Sequence, residues 1–455
     1  MRKLFKRRSF QLALAGLLLL AFVVWGAFQW LDRYVAKAEQ FITNHEWPKA
    51  RETLDSYLRF RPGDATARLM MAEAFIRDNK LAGEDKVESA LRHLSQIPDT
   101  SPHAADARLQ EGRLLLLLRL QPGRAERAFR RSLQLDPDRV ETHSLLWKLY
   151  DLTDRWDSAG EHVWRLMELL PEQERVNRLR DWYLSEFSPG TANAELERRL
   201  GLLGETERPG DDSDRRRLEA FVMAEPDWAD GHAILARWYH RQGGLHQAGA
   251  QLDLAEQLPG GSETPLVIAT RVSVSLELGD FDRAERAFQR WPAPHDGYEY
   301  WKTAGMIADQ VTRDASAACQ AFEKAIQTTA GKSDWLTQHR LAQCLLRQGE
   351  TGRAAVVRLH SKSVELLMEN PVHAGLRRDL LTPLAAQTIA RMIDLYRQLE
   401  RHREVEAWSQ LTADDRQATV SPSVGVPGSA AVESAGNRST AIPRDSQTGP
   451  ESTSR

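Results

Sequence analysis

The sequence predicts an all-α solenoid, and three observations carry that prediction. Apolar residues recur at spacings of three and four along most of the 455 residues, which is the period of amphipathic helices. The stretch from Ala229 to Ser262 is one complete 34-residue unit of two such helices. Weaker copies of the unit recur on both sides of it, and a repeat of that length reads as stacked helical pairs rather than a single globular core.

The N-terminus comes first in the chain and sets the expected compartment. Arg2, Lys3, Lys6, Arg7 and Arg8 precede an apolar run from Phe10 to Leu31, interrupted only by Gln11 and Gln29 near its ends. At about 1.5 Å per residue, a helix over 10–31 is long enough to span a bilayer core of about 30 Å. Trp25, Phe28 and Trp30 gather toward its far end, where amphipathic rings favour the interface. The basic segment 1–9 is then expected on the cytoplasmic side of a bacterial-type inner membrane. The chain beyond Asp32 would be extracytoplasmic, that is, periplasmic. Two other readings stay open. A cleaved leader needs small residues after the apolar core, and Val24-Trp25-Gly26 is the nearest candidate, although the run continues past it to Trp30. A buried soluble helix would carry no such basic flank.

Residues 32–203 read as an N-terminal block of repeats. The first copy carries Tyr34, Ala38, Phe41, Ala50, Leu54, Tyr57 and Pro62, and a later one Gly112, Ala125, Phe129, Leu133 and Pro137. Val176–Phe187 and Ala194–Leu203 are predicted helices on either side of Ser188-Pro189-Gly190. Residues 204–225 are expected to be an irregular hinge centred on Gly204–Asp214, with Leu218–Met223 an incomplete helix. A second block, 226–370, contains the unit at Ala229–Ser262. There Leu235, Ala236 and Tyr239 share one helical face, and Gly243 ends that helix. Ala248, Leu252 and Ala255 line a second helix, which Pro259 and Gly260 close. Further copies carry Gly279, Ala284, Phe288 and Trp291, then Gly305, Ala318, Phe322 and Ala325. The last has a regular first helix (Leu341, Ala342, Leu345, Gly349), but Arg358 and Ser361 depart from the pattern in its second. Residues 371–411 are expected to form capping helices over Leu376–Leu399 and Arg403–Leu411, interrupted near Pro383 because proline lacks the backbone donor. Arg391, Arg397, Arg401 and Arg403 suit a solvent-facing cap. From Thr412 to Arg455 the chain is rich in Ser, Thr, Pro, Gly and Ala, and is predicted to be a disordered tail.

Aligning the small residue of each second helix gives Ala50, Ala125, Ala159, Ala248, Ala284, Ala318 and Ala354. The separations are 75, 34, 89, 36, 34 and 36 residues, and the long gaps leave room for degenerate copies near Ala90 and Ala194. This punctuation of apolar, small, aromatic, Gly, Ala, large apolar, Ala and Pro resembles the tetratricopeptide repeat (TPR). Small residues sit where helices cross closely, since a larger side chain would push the axes apart. The resemblance implies a right-handed solenoid whose inner face, lined by first helices, holds peptides. The positions it marks are Asp230, Ala233, Arg237, His240 and Arg241 in the best copy. In the copy starting at Trp335 they are Leu336, His339, Gln343, Leu346 and Arg347, and in the copy at Val140 they are Glu141, Ser144, Lys148, Asp151 and Leu152. Arg237, Arg241 and Arg347 with apolar neighbours would suit an acidic or carboxylate-bearing peptide. Ordinary solvated helix arginines are the alternative.

Chemistry is absent from the motifs. There is no phosphate-binding loop, zinc helix, nucleophile elbow or haem attachment pattern. The repeats leave no separate region for a catalytic domain. No enzyme activity, cofactor, metal or small-molecule substrate is expected. A net charge of −3 argues against nucleic acid as a partner, because no global field would hold a polyanion. The two cysteines, Cys319 and Cys344, fall at similar heights on neighbouring helices. A disulfide suits an extracytoplasmic domain, and two packed thiols suit the apolar positions they occupy. The expected function is therefore a membrane-anchored scaffold binding partner proteins or peptides, in envelope assembly, secretion or respiratory-complex maturation. The alternative is a non-catalytic regulatory subunit of a membrane enzyme complex.

Overall fold

The computed structural model describes residues 33–153, 155–187, 197, 198, 200, 202, 211–380 and 385–411. The expected basic segment, membrane helix and disordered tail lie outside these residues, as do Pro383 and most of the helix expected at Ala194–Leu203. Among the described residues every regular element is helical, and no helix is long and apolar enough to cross a membrane.

The chain forms two compact units. Of the described residues, one takes in 33–62 together with Met70–Ala90, the other Gly63–Leu69 and those of 91–411. In the smaller unit, helical residues 33–43 and the helix Trp47–Leu58 bury Ala38, Ala50, Leu54 and Tyr57. Arg51 fixes the neighbouring chain by donating to Asp78 Oδ2 at 2.7 Å and to the Ala74 carbonyl at 3.1 Å.

The larger unit is a succession of antiparallel pairs. Ala104–Arg119 packs on Pro122–Leu135, Val140–Leu152 on Trp156–Leu169, and Ala229–Arg241 on Leu245–Gln257. Pro265–Glu277 then packs on Phe281–Phe288, Tyr298–Gln310 on Ala315–Gln327, and Trp335–Arg347 on Thr351–Leu367. All seven aligned alanines are at most 1% exposed, and Ala90 is fully buried, so the small residues sit at the helix crossings. Two first helices approach their partners so closely that only glycine fits. A Cβ on Gly112 would lie 2.5 Å from the Phe129 ring, and one on Gly305 would lie 2.5 Å from Phe322. Gly243, Gly279 and Gly349 end first helices with φ of 76°, 76° and 81°, a left-handed conformation that side chains other than glycine's rarely adopt.

A recurrent polar device sets how each first helix enters. The fourth residue of three first helices reaches back to the carbonyl six positions earlier. His143 Nε2 lies 2.8 Å from Pro137 O, His232 Nε2 lies 3.0 Å from Pro226 O, and Gln338 Nε2 donates to Lys332 O at 3.1 Å. The same histidines meet the seventh residue of the following helix, His162 at 2.9 Å and Gln251 at 2.8 Å. The loop carbonyl thus keeps a partner inside the fold, where leaving it unpaired would cost about 1–3 kcal/mol.

Two expectations fail here, each for a physical reason. The hinge at 204–225 is not irregular throughout, because Asp211–Ala224 is one helix within the larger unit. Its first turns look loop-like in sequence because they are charged, but those charges bond along the helix, Arg215 to Asp212 at 2.8 Å and to Glu219 at 3.0 Å. Leu218 and Phe221 anchor its other face in a cluster with Leu152, Trp228, Ile234 and Leu235. Glu225, just past its end, caps a helix about a hundred residues away. Its Oε2 accepts from the Gly123 amide at 2.8 Å and the Arg124 amide at 3.2 Å.

The terminal helices also differ from expectation. Asn370–Leu380, Ala386–Gln398 and His402–Ser409 do not present all their arginines to solvent. The first and last pack on Glu172–Phe187. There the Arg401 side chain is fully buried, bonded to Glu186 and Glu404. Arg403 lies over the Trp164 ring at 4.6 Å, and His373 stacks on Phe187 at 4.4 Å. Burial pushes the Glu186 carboxyl above its ordinary range against the pull of Arg401. Burial likewise opposes the Arg401 charge, but the two carboxylates outweigh it and hold the guanidinium protonated.

Candidate functional site

First helices Ala229–Arg241, Pro265–Glu277, Tyr298–Gln310 and Trp335–Arg347 are linked in series by packing and ion pairs, and present the residues expected to meet a partner. The structure brings most of the candidates onto this face and pairs their charges internally. Arg237 meets Glu299 at 3.0 Å, and His240 Nε2 lies 2.8 Å from Glu277. Arg347 bonds Asp309 and lies 3.1 Å from the Cys344 sulfur. His339 and Gln343 bond each other at 2.9 Å, and Arg241 is exposed. Asp230 turns away from the face toward Arg155, 3.8 Å distant, and burial raises its carboxyl above the ordinary range.

This pairing corrects the expectation of an arginine-lined surface for acidic peptides. Arg237 and Arg347 already face carboxylates on the first helix Tyr298–Gln310, so an acidic ligand would have to displace them. The partners Glu277, Glu299 and Asp309 were missed in sequence, yet they occupy the thirteenth, second and twelfth positions of their helices, among the positions used to choose the candidates. Lys302 and Asp334 add a further pair at 3.0 Å. Burial opposes the Asp334 charge, but Lys302 and hydrogen bonds from Thr337 and Tyr298 hold its carboxyl down at about 2. Beside the exposed Arg241, Gln343 and Arg347, two apolar side chains of the face stand open: Leu336 is 53% exposed and Leu346 45%.

The copy at Val140 does not offer the expected groove. Ser144, Asp151 and Leu152 are buried. Ser185 donates to Asp151 at 3.0 Å, and Glu141 pairs with Arg113 at 2.9 Å. Lys148 is half-buried.

Cys319 and Cys344 are buried free thiols, which corrects the disulfide reading. Cys344 donates toward Asp309 at 3.6 Å. Burial first, and then the Asp309 carboxylate, push its thiol up to about 12, and burial also raises Cys319. Both behave as small apolar residues of the core they share with Phe322 and Leu345.

An open hollow of about 590 Å³ lies elsewhere, lined by Arg130, Leu133, Gln134, Tyr150, Ser158, Glu161 and His162. Its histidine belongs to the recurrent device described above. Because Pro137 O can only accept, His143 Nε2 carries the hydrogen and its Nδ1 accepts from His162 Nδ1. Burial, His143 and Arg130 lower the His162 pKa to about 4. Arg130 itself is engaged with Glu126 and Tyr150, each at 2.9 Å. Among the described residues, no group of three or more His, Cys, Asp or Glu could hold a metal ion.

These helical pairs, with their buried alanines and glycine-on-aromatic crossings, define an all-helical fold of stacked pairs similar to that of tetratricopeptide repeats. No family model and no curated protein matches the chain. Among solved structures it is similar to the APC/C hetero-tetramer Cut9-Hcn1, at 13% identity over 82% of this chain and 74% of that one, with a TM-score of 0.35. A tetratricopeptide repeat protein from Parabacteroides merdae is similar at 16% identity over 57% of this chain and 91% of that one, with a TM-score of 0.28. The P58(IPK) TPR domain is similar at 15% identity over 85% of this chain and 94% of that one, with a TM-score of 0.23. Likenesses of this size carry no argument about function, and the repeat assignment stands on the helix pairs themselves.

Proposed function

We propose that the chain is a membrane-anchored scaffold that holds protein partners on its first-helix face in the extracytoplasmic space. The observation that carries the binding role is the exposure of Leu336 and Leu346 on a face whose neighbouring charges are already paired. Such a face gains by covering apolar area and needs no new ion pair, which suits an amphipathic or extended segment with apolar side chains. The anchoring role rests on the apolar run 10–31 behind its basic flank.

Protease added to spheroplasts tests the topology. Digestion of the chain beyond Asp32, with the first residues spared, is the expected outcome, and protection of the repeats would sink the extracytoplasmic placement. Affinity purification from solubilised membranes then separates two roles. Several substoichiometric proteins favour a scaffold, whereas a single stoichiometric enzyme favours a regulatory subunit.

A further inference from the structure

Among the described residues, the second helix of the last repeat pair, Thr351–Leu367, is covered on one side only. Its own first helix, Trp335–Arg347, is the element it packs on, and Ala354, Ser361 and Val364 are its buried residues. In the preceding repeat, Ala315–Gln327 is also covered by the next first helix, which encloses Cys319 and Phe322. The corresponding residues here, Ala355 and Arg358, are exposed. Beside them Val356 is 70% exposed, Leu359 76% and Leu366 48%, so an apolar stripe with Ser363 at its middle faces outward. Of the terminal helices that could have covered it, Asn370–Leu380 and His402–Ser409 pack on Glu172–Phe187 instead.

The charges along this helix run against its dipole. Arg353 and Arg358 lie in its N-terminal half, Lys362 past its middle, Glu365 near its C-terminal end and Glu369 just beyond it, with no acid in the first turn and no base in the last. That order is unfavourable for an isolated helix. It is self-complementary for two such helices laid antiparallel. Arg353 is satisfied by Glu323 and Glu350, and Lys362 by Glu365 at 2.9 Å, but Arg358 has no ion pair among the described residues.

We propose that this stripe is the contact between two copies of the chain, paired antiparallel about a two-fold axis near Ser363. That arrangement continues the helix-on-helix stacking of the repeats with a second copy in place of the missing next helix. It sets Leu359 against Leu366 of the second copy and brings Arg358 to the acidic end carrying Glu365 and Glu369 of that copy. The same patch serves both chains, as a two-fold interface requires. An interface one helix wide is at the small end of specific contacts, so the dimer is a weak one.

The test uses the full chain. Ser363→Cys places a thiol near the axis, and Gln320→Cys places an equally exposed one on the preceding second helix. Under mild oxidation, S363C is expected to cross-link at least about tenfold faster than Q320C, because only the former is held at high effective concentration. Adding Leu359→Glu, an exposed position that leaves the core intact, removes the difference. Arg358→Glu weakens dimerisation in sedimentation velocity, and E365R in the same chain restores it. Equal cross-linking of S363C and Q320C overturns the proposal. So does a dimer that forms only after residues 412–455 are deleted, which would assign the stripe to the chain's own tail.

Discussion

Replacing Gly305 with alanine should destabilise the protein, although alanine is the better helix former. Gly305 lies inside the helix Tyr298–Gln310, and a Cβ there would stand 2.5 Å from two ring carbons of Phe322. Phe322 is fully buried among Met306, Ile307, Leu341 and Leu345, so its ring has nowhere to swing. Overpacking of this kind costs about 1–3 kcal/mol. Better helix propensity returns about 1 kcal/mol, which leaves a net loss of up to about 2 kcal/mol. Gly249 is the control, since it too lies inside a helix but has nothing within 4 Å of its added Cβ. There the same substitution should stabilise by about 0.5–1 kcal/mol. Urea unfolding of both variants measures the contrast, and Phe322→Leu in the G305A background should recover most of the loss. Equal effects at the two glycines, or no coupling to Phe322, would refute the close crossing on which the repeat assignment rests.

Three other predictions follow from named contacts. Glu225→Ala should cost about 1–2 kcal/mol by uncapping the helix Pro122–Leu135, seen as faster hydrogen exchange at the Gly123 and Arg124 amides. His162 has a folded pKa of about 4 against an ordinary value of 6.5, so the unfolded chain takes up its proton first. Its contribution, up to about 3 kcal/mol, is present above pH about 6.5 and is lost as the pH falls toward about 4. His162→Gln, which copies the His232–Gln251 arrangement, should flatten that part of the stability–pH curve. Cys319 and Cys344 should resist a maleimide in the native protein and react on unfolding, with an intact mass showing two thiols. Rapid labelling of the folded chain would contradict their burial.

The repeat was legible because its determinants are local. Ala248, Gly243 and Leu252 declare a turn and a crossing within one 34-residue window, and the structure places each as that reading requires. The helix Asp211–Ala224 was not legible, because Asp212, Arg215 and Glu219 read as a solvated loop until helical spacing lets them pair. Nor could the seat of the terminal helices be read. Glu186 and Arg401 are 215 residues apart, and neither neighbourhood shows that the other would bury it. The candidate face was half legible. Position within each first helix found Arg237, His240 and Arg347, but their charge was read one helix at a time. Glu299 and Asp309 pair with the two arginines only across different first helices, and Glu277 approaches His240 in the same way.

The central claim is that the open apolar positions of the first-helix face hold protein partners. It is tested most directly by quantitative co-purification from solubilised membranes, comparing the wild-type chain with the double variant L336E/L346E. Both residues are exposed, so the variant should fold with unchanged unfolding behaviour. The account predicts that the proteins recovered with the wild type fall by about tenfold or more with the variant, as expected when a buried apolar anchor is replaced by a charge. Recovery of the same proteins in the same amounts would contradict it.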